Sequence, residues 1–375
     1  MNLHCTTTEF NAGIDLHTKN MYVCVMDREG KIHIHREIRG NSLAQLDKHL
    51  EPYAGRVTVC CESTVNWYFL ADHLADKGIP FVLGHSLYIT AISKSKKKND
   101  RVDSQRLADL LRSNLLPVGY TCPRRIREIR DLCRRRRLVV ETRTTLKTSL
   151  TTGNYGYGAA PLTLKEKQPA RRRDAYLSRV PGEAGRLGCE NFLETIEFMD
   201  RQVKRLEDGI QRLILDDTHF RRQFELLASF PGIGKTLGAS ILFEISDINR
   251  FASPRELSSY ARLIAPQGTS DGKSCGTRGA KIGNPHLKYA IKEAAVSALR
   301  VSPVLHCYFE WLAAKSGKRR ALSIFAHRYG IAVYFALKRG QSFSLESFLK
   351  GKPLAKFTAQ AEKKKEDSAA RKTQP

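Results

Sequence analysis

Tyr22-Val23-Cys24-Val25-Met26 is apolar from end to end, the composition of a strand buried on both faces. Working outward, Ile32, Ile34 and Ile38 recur at even spacing, the period of a half-buried strand. Asp27-Arg28-Glu29-Gly30 between the two runs reads as a hairpin turn. Residues 11–38 therefore read as strands. A helical segment follows Asn41-Ser42, and Val57-Thr58-Val59-Cys60-Cys61 reads as a central strand. Trp67 to Leu74 suits a helix and Pro80-Phe81-Val82-Leu83 another strand. Strands followed by alternating helix and strand predict an α/β layer fold.

Four acids stand in telling places in that unit. Asp15 closes Gly13-Ile14-Asp15, Glu62 opens Glu62-Ser63-Thr64 after the central strand, and Asp100 and Asp103 lie in Lys98-Asn99-Asp100-Arg101-Val102-Asp103. Residues 103–115 read as a helix with Leu107, Leu110 and Leu111 on one side, and acids three apart at its start share a face. Acids facing a helix dipole explain that pair alone equally well. As a set, acids gathered inside a basic chain point to divalent metal held against nucleic-acid phosphate. Two ions about 3.5–4 Å apart, held by carboxylates, can activate a nucleophile and neutralise a phosphate, and Mg²⁺ (or Mn²⁺) takes oxygen ligands.

The charge balance agrees. Lysine and arginine number 63 against 38 acids, a formal net charge of +25. Such a surplus favours a polyanion partner through counterion release. The nine cysteines form no C-x-x-C pair and are odd in number, which argues against a disulfide framework and a thiolate zinc site. They suit a reducing cytoplasm. His33 and His35 alternate on one strand face with nothing nearby to complete a metal set, and read as surface residues. No signal peptide and no apolar run of about 18 residues is evident, so no membrane span is expected.

Beyond the first unit, residues 124–147 carry Arg124, Arg125, Arg127, Arg130, Arg134, Arg135, Arg136, Arg137, Arg143 and Lys147 on one helix. A solvated helix normally mixes signs, so backbone contact with nucleic acid is expected here. Residues 151–175 read as a linker. Phe192, Ile196, Met199, Val203, Leu206, Ile210 and Leu213 then form a heptad seam, which suits self-association or a helical hairpin within one chain. Leu226 to Lys235 contains Pro231-Gly232-Ile233-Gly234 between two helical runs, similar to the hairpin of helix-hairpin-helix modules. Gly232 and Gly234 would let the backbone approach a phosphate, with Lys235 and the next helix's amides facing it; a plain turn is the alternative. Ser253-Pro254-Arg255-Glu256 is a capping box and Asn284-Pro285 caps a further helix. Between them Gln267 to Gly283 reads as a polar glycine-rich loop. In it, Ser270 beside Lys273 could attack a phosphate and form a covalent link, although most such loops are only turns. The organisation expected is a metal-binding domain over 1–120, an arginine helix, linker and coiled coil over 121–220, a mainly α domain over 221–350, and a basic disordered tail over 351–375.

These stretches together resemble the "IS one-ten" family of insertion-sequence transposases, also called bridge-RNA-guided recombinases, over most of residues 11–340. At the amino end the likeness rests on Gly13-Ile14-Asp15, Cys61-Glu62-Ser63-Thr64 and Lys98 to Ala108. At the carboxyl end it rests on Phe230 to Gly234, Phe251, Tyr260 to Pro266 and the Ser270 loop leading into Gly283-Asn284-Pro285-His286-Leu287. The resemblance implies a RuvC-like, ribonuclease H-fold DEDD domain whose metal ligands match Asp15, Glu62, Asp100 and Asp103. It also implies a serine nucleophile at Ser270, in a composite site with the carboxylates, and a coiled coil for assembly as a dimer or tetramer. Its partners would be donor and target DNA and a structured non-coding RNA that pairs with both, in a bacterial, nucleoid-associated protein. Two positions depart from the family: Val65 stands where a glycine is usual, and Asp271, not glycine, follows Ser270, which leaves Ser274 as a second candidate nucleophile. A RuvC-type junction nuclease using water as nucleophile, and a non-catalytic nucleic-acid-binding protein, are the competing readings.

Overall fold

The computed structural model describes residues 3–92, 99–156, 169–264, 267–270, 273–277 and 282–373. Lys98, residues 157–168 of the expected linker and Asp271-Gly272 lie outside the described residues. The chain divides into two compact units, Met1–Arg124 and Arg125–Pro375.

In the first unit, β1 (Phe10–Leu16), β2 (Asn20–Met26) and β3 (Ile32–Arg39) precede α1 (Leu43–Leu50). Then follow β4 (Val57–Glu62), α2 (Tyr68–Asp76), β5 (Phe81–Gly84), α3 (Ser86–Ile92) and α4 (Asp100–Arg112). The sheet order is β3-β2-β1-β4-β5. The first three strands are antiparallel, and β4 and β5 run parallel to β1. Gly30 takes the turn between β2 and β3 at φ +88°, and Ser42 caps α1 by accepting from the Gln45 amide. Apart from α3, these are the elements read in the sequence.

The sheet is buried on both sides, which is why its inner strands lack polar alternation. Ala12, Ile14 and Leu16 pack with Val23, Val59, Cys61, Leu46 and Leu70 on one side. On the other, Cys60, Val82, Leu107 and Leu111 form a second layer, joined by Cys24, Met26 and Ala108. That second side belongs to α4. Asn99 caps α4 through the Arg101 amide, so the helix starts at Asp100, three residues earlier than its apolar stripe suggests.

The second unit comprises α5 (Arg124–Gly156, whose first residue belongs to the first unit), α6 (Pro169–Leu177), α7 (Glu183–Leu215), α8 (Thr218–Ala228), α9 (Lys235–Ile245) and α10 (Pro254–Tyr260). They are followed by strands β6 (Gln267–Ser270) and β7 (Lys273–Thr277), then α11 (Pro285–Val301), α12 (Pro303–Ser316), α13 (Lys318–Arg339), α14 (Leu345–Phe348) and α15 (Leu354–Thr373). Its core joins Ile129 and Cys133 of α5 to Phe243, Ile291, Phe325 and Tyr329.

Three expectations are corrected. The linker is narrower than 151–175, because α5 runs to Gly156 and α6 begins at Pro169. The tail is not disordered: α15 buries Phe357 and Ala361 against the core, and Lys364 binds Glu310 at 2.5 Å. Its lysines hid two apolar anchors four residues apart, one helical turn. The glycine-rich segment is a two-stranded antiparallel hairpin, with Ser270 opposite Lys273.

The heptad residues meet neighbours within the chain. Val203 and Ile210 are buried, Ile196 packs with Leu150, Tyr176 and Leu193, and Arg136 of α5 donates to Glu207 of α7 at 2.9 Å. Leu213, and Phe198 beside the seam residue Met199, are exposed. Among the described residues no helix is long and apolar enough to cross a membrane.

Candidate active site

The site is built by one close approach. A β-carbon on Gly13 would stand 2.3 Å from Ala108 N and 2.3 Å from Ser104 O, both backbone atoms of α4. Only glycine lets this helix lie directly on β1. The contact brings the amino end of α4, with Asp100 and Asp103, to the carboxyl end of β1, with Asp15.

Side chains alternate along a strand, so Asn11, Gly13 and Asp15 face α4 while Ala12, Ile14 and Leu16 face the opposite core. Ile14 pairs with Cys61 in the parallel register, so Asp15 and Glu62 are the next residues on adjacent strands and leave on the same side. The Cys61 thiol is pushed up by burial first, and the charges of Glu62 and Asp15 add to it.

Asp15 is 9% exposed. Its Oδ2 lies 3.2 Å from His17 Nε2, and the same nitrogen lies 3.3 Å from Asp100 Oδ1. One ligand atom from each of Asp15, His17 and Asp100 falls within 4.8 Å of the others. Asp103, one turn along α4, accepts from Arg106 Nη1 at 2.8 Å. Burial raises the Asp15 carboxyl above its ordinary range; His17 opposes this, and Asp100 and Asp103 add to it. The structure thus brings Asp15 and Asp100 together, with Asp103 near enough to act electrostatically. Glu62 stands at the adjacent strand end, outside the tightest group.

His17 was not anticipated. The signal was present in Asp15-Leu16-His17, because residues two apart on a strand share a face. Its carbonyl is tied down by Asn66 Nδ2 at 2.8 Å and Asn41 Nδ2 at 2.9 Å, which explains the polar residues after Glu62. His33 and His35 are also partnered. His33 lies 2.8 Å from Asp27, and His35 lies 2.8 Å from the Arg101 carbonyl and 3.3 Å from Ser104 Oγ at the start of α4.

In the second unit, the base of the Ser270 hairpin is clamped. Asn284 N donates to the Tyr260 carbonyl at 2.6 Å and Arg262 Nε to the Gly283 carbonyl at 2.9 Å. Gly283 sits at φ +103°, where a β-carbon would stand 2.5 Å from Tyr260 O. Asn284 Oδ1 caps α11, and its Nδ2 donates to Glu244 at 2.6 Å and to Tyr260 Oη at 3.1 Å. Glu244, almost fully buried, also receives Arg134 through two bonds of 2.6 and 2.7 Å. Burial opposes its ionisation, but Arg134 and Asn284 prevail and hold its carboxyl below the ordinary range.

The helix arginines divide accordingly. Arg127 and Arg130 are buried, Arg134 and Arg136 meet acids, and Arg137 lies over the Tyr289 ring at 3.9 Å. Arg125 meets Asp217 at 3.0 Å and Arg124 lies 3.8 Å from Asp72, while Arg135 is exposed. In the α8–α9 turn, Gly232 at φ +88° accommodates the α11 backbone, with Ala298 N 2.3 Å from its ideal β-carbon. Gly234 has nothing within 4 Å, and it and Lys235 are exposed.

Known proteins match both units. A DEDD-type IS110 transposase family model covers residues 12–152, and one described as "Transposase IS116/IS110/IS902 family" covers residues 224–310. The chain belongs to the IS110 family of transposases. The "Transposase for insertion sequence element IS1111A" of Coxiella burnetii is 24% identical over 345 residues, 88% of this chain and 90% of that one. The "Insertion element IS110 uncharacterized 43.6 kDa protein" of Streptomyces coelicolor is 30% identical over 119 residues, 32% of this chain and 29% of that one. The mixed sheet with its helices fits the ribonuclease H-like DEDD domain of an IS110-family transposase. A DEDD domain suggests divalent metal, and the grouping of Asp15, His17 and Asp100 suits it.

Proposed function

We propose that this transposase cuts and rejoins DNA through a covalent phosphoserine at Ser270, with Mg²⁺ or Mn²⁺ held by Asp15, Glu62, Asp100 and Asp103. The observation that carries the reading is the meeting of Asp15, His17 and Asp100 where α4 crosses the end of β1. A buried carboxyl raised by its surroundings, with two more acids nearby, is a site that a divalent ion would relieve. The donors are mainly oxygen, which suits Mg²⁺ or Mn²⁺ over softer metals. When bound, the ion supplies charge neutralisation at the scissile phosphate.

The chain's own groups do the rest. Asp15 and Glu62 project from neighbouring strand ends, and Asp100 and Asp103 from a capped helix, so the acids are fixed before any ligand arrives. His17 holds the two aspartates in place through one nitrogen. Ser270 Oγ forms a bond to phosphorus as one phosphorus–oxygen bond to deoxyribose breaks, and its proton is balanced by one taken up by the departing hydroxyl. One ester replaces another, so a second DNA hydroxyl can reverse the step and rejoin strands without another energy source. Arg135, Lys235 with Gly234, and Lys273 supply backbone contacts. A structured RNA supplies sequence choice by base pairing, and assembly is as a dimer or tetramer.

The test is excision from a plasmid carrying the element with its native flanks, read by amplification across the circle junction. Wild type gives circles, and Asp15→Ala and Ser270→Ala give none. Circles persisting in Ser270→Ala would remove that serine as nucleophile, and circles persisting in Asp15→Ala would remove the metal site. Deleting the flank that encodes the RNA abolishes circles if guidance is required.

A further inference from the structure

A cavity of about 510 Å³ opens between the last turns of α13 and residues 341–350 that follow it. Phe335 and Phe343 lie in its wall, and Arg328, Arg339 and Lys350 line it, while no carboxylate does so among the described residues. Arg339 lies over the Phe335 ring, 4.4 Å from its centroid, so its guanidinium presents a second flat, cationic face. Arg328 is fixed, donating to the Phe348 carbonyl at 2.7 Å and the Lys350 carbonyl at 3.3 Å. Gln341 adds an exposed amide with both donor and acceptor.

The cavity is joined to the α8–α9 turn. Phe230 of that turn lines it and packs against Phe343 with tilted rings, centroids 4.8 Å apart. The Phe343 amide donates to Ser229 Oγ at 2.8 Å, and Tyr329 Oη donates to the Pro231 carbonyl at 2.6 Å. The pocket wall and the exposed Gly234–Lys235 step therefore belong to one packed assembly.

We propose that this cavity takes an unpaired nucleotide of the DNA substrate. The base stacks on Phe343 or the Arg339 guanidinium, Gln341 meets its polar edge, and Arg339 and Lys350 meet the adjacent phosphates. An apolar peptide segment would use the aromatic wall but leave three cations unmatched. A duplex has its bases stacked inside and cannot enter without extruding one. Deoxyribonucleotide is assigned because DNA is the substrate of the family.

The test uses the full chain and a short single-stranded DNA carrying one 2-aminopurine, with RNA and duplex DNA of the same sequence as comparison arms. Wild type quenches the 2-aminopurine on binding. The exposed double change Arg339→Ala with Lys350→Ala weakens single-strand binding about tenfold and restores the fluorescence, with an unchanged melting temperature. Phe343→Leu keeps apolar bulk, loses the ring face and also restores the fluorescence. Photo-crosslinking with 5-iododeoxyuridine places the adduct on a peptide containing Phe335 or Phe343. Crosslinks confined to other peptides, unchanged affinity in the double variant, equal binding of the duplex, or preference for RNA would each overturn the assignment.

Discussion

Replacing Gly13 by alanine tests whether the β1–α4 approach builds the proposed metal site. The added carbon would meet Ala108 N and Ser104 O at 2.3 Å, and Leu107 C at 2.9 Å, whereas ordinary contact begins at 3.4 Å. All three are backbone atoms, so no side chain can rotate away, and α4 must move outward by about 1.1 Å. Overpacking of this kind costs about 1–3 kcal/mol. The same displacement carries Asp100 and Asp103 away from Asp15, and a shift near 1 Å can cost roughly a hundredfold in rate. Circle formation should therefore fall by about that factor, and Mn²⁺ affinity should fall with it. Gly209→Ala in α7 is the control: nothing lies within 4 Å of its β-carbon position, and replacing a mid-helix glycine should be neutral or stabilise by up to about 1 kcal/mol. If Gly13→Ala melts at the wild-type temperature, binds Mn²⁺ as tightly and forms circles as fast, the account of how the site is positioned is wrong.

Perturbations at three other places in the molecule have expected outcomes. Arg134→Leu strands the buried Glu244 carboxylate and should destabilise by about 3–5 kcal/mol in urea unfolding. Because the Glu244 carboxyl is held below its ordinary range, its stabilising contribution is complete above the unfolded-state value near 4.5 and is lost as pH falls through the lowered folded value. Glu244→Gln should thus show a shallower acid slope than wild type in unfolding titrations. Mg²⁺ or Mn²⁺ at about a hundred times its dissociation constant should stabilise the wild type by about 2.7 kcal/mol and leave Asp15→Asn unmoved in calorimetry. Without metal, Asp15→Asn should be the more stable protein near pH 7, since a carboxyl raised by burial opposes folding once ionised. Phe357→Ala, at a fully buried position, should cost about 3–5 kcal/mol in thermal unfolding, and equality with wild type would mean that α15 does not anchor to the core.

Most of the first unit was legible in the sequence because its strands are short, apolar and punctuated by turn residues, and because Asp15 and Glu62 stand where those runs stop. The helix bearing Asp100 was legible from its leucines, but its start was set by the Asn99 side chain, which periodicity does not report. His17 escaped although it stands two residues after Asp15, because that spacing does not say which face the partner helix will cover. Gly232 looked like a phosphate-approach residue, yet the backbone it accommodates is that of α11, a contact between residues 66 positions apart that no local motif encodes. The arginines of α5 form one charge run in sequence, but their partners Glu207, Asp217 and Glu244 lie far along the chain. The heptads of α7 announced a seam without saying which helices would fill it.

The clamp at Tyr260, Gly283 and Asn284 bears on how this enzyme can vary. Its two ends are joined by bonds to buried, capped helices, so the segment between them is closed before its own sequence is consulted. Lengthening such a closed loop costs only about 0.6 kcal/mol per doubling. Natural or engineered changes between the clamped ends should therefore be tolerated by the fold, and under the proposed Ser270 mechanism they would be felt mainly in chemistry, as a replaceable tip on a fixed handle.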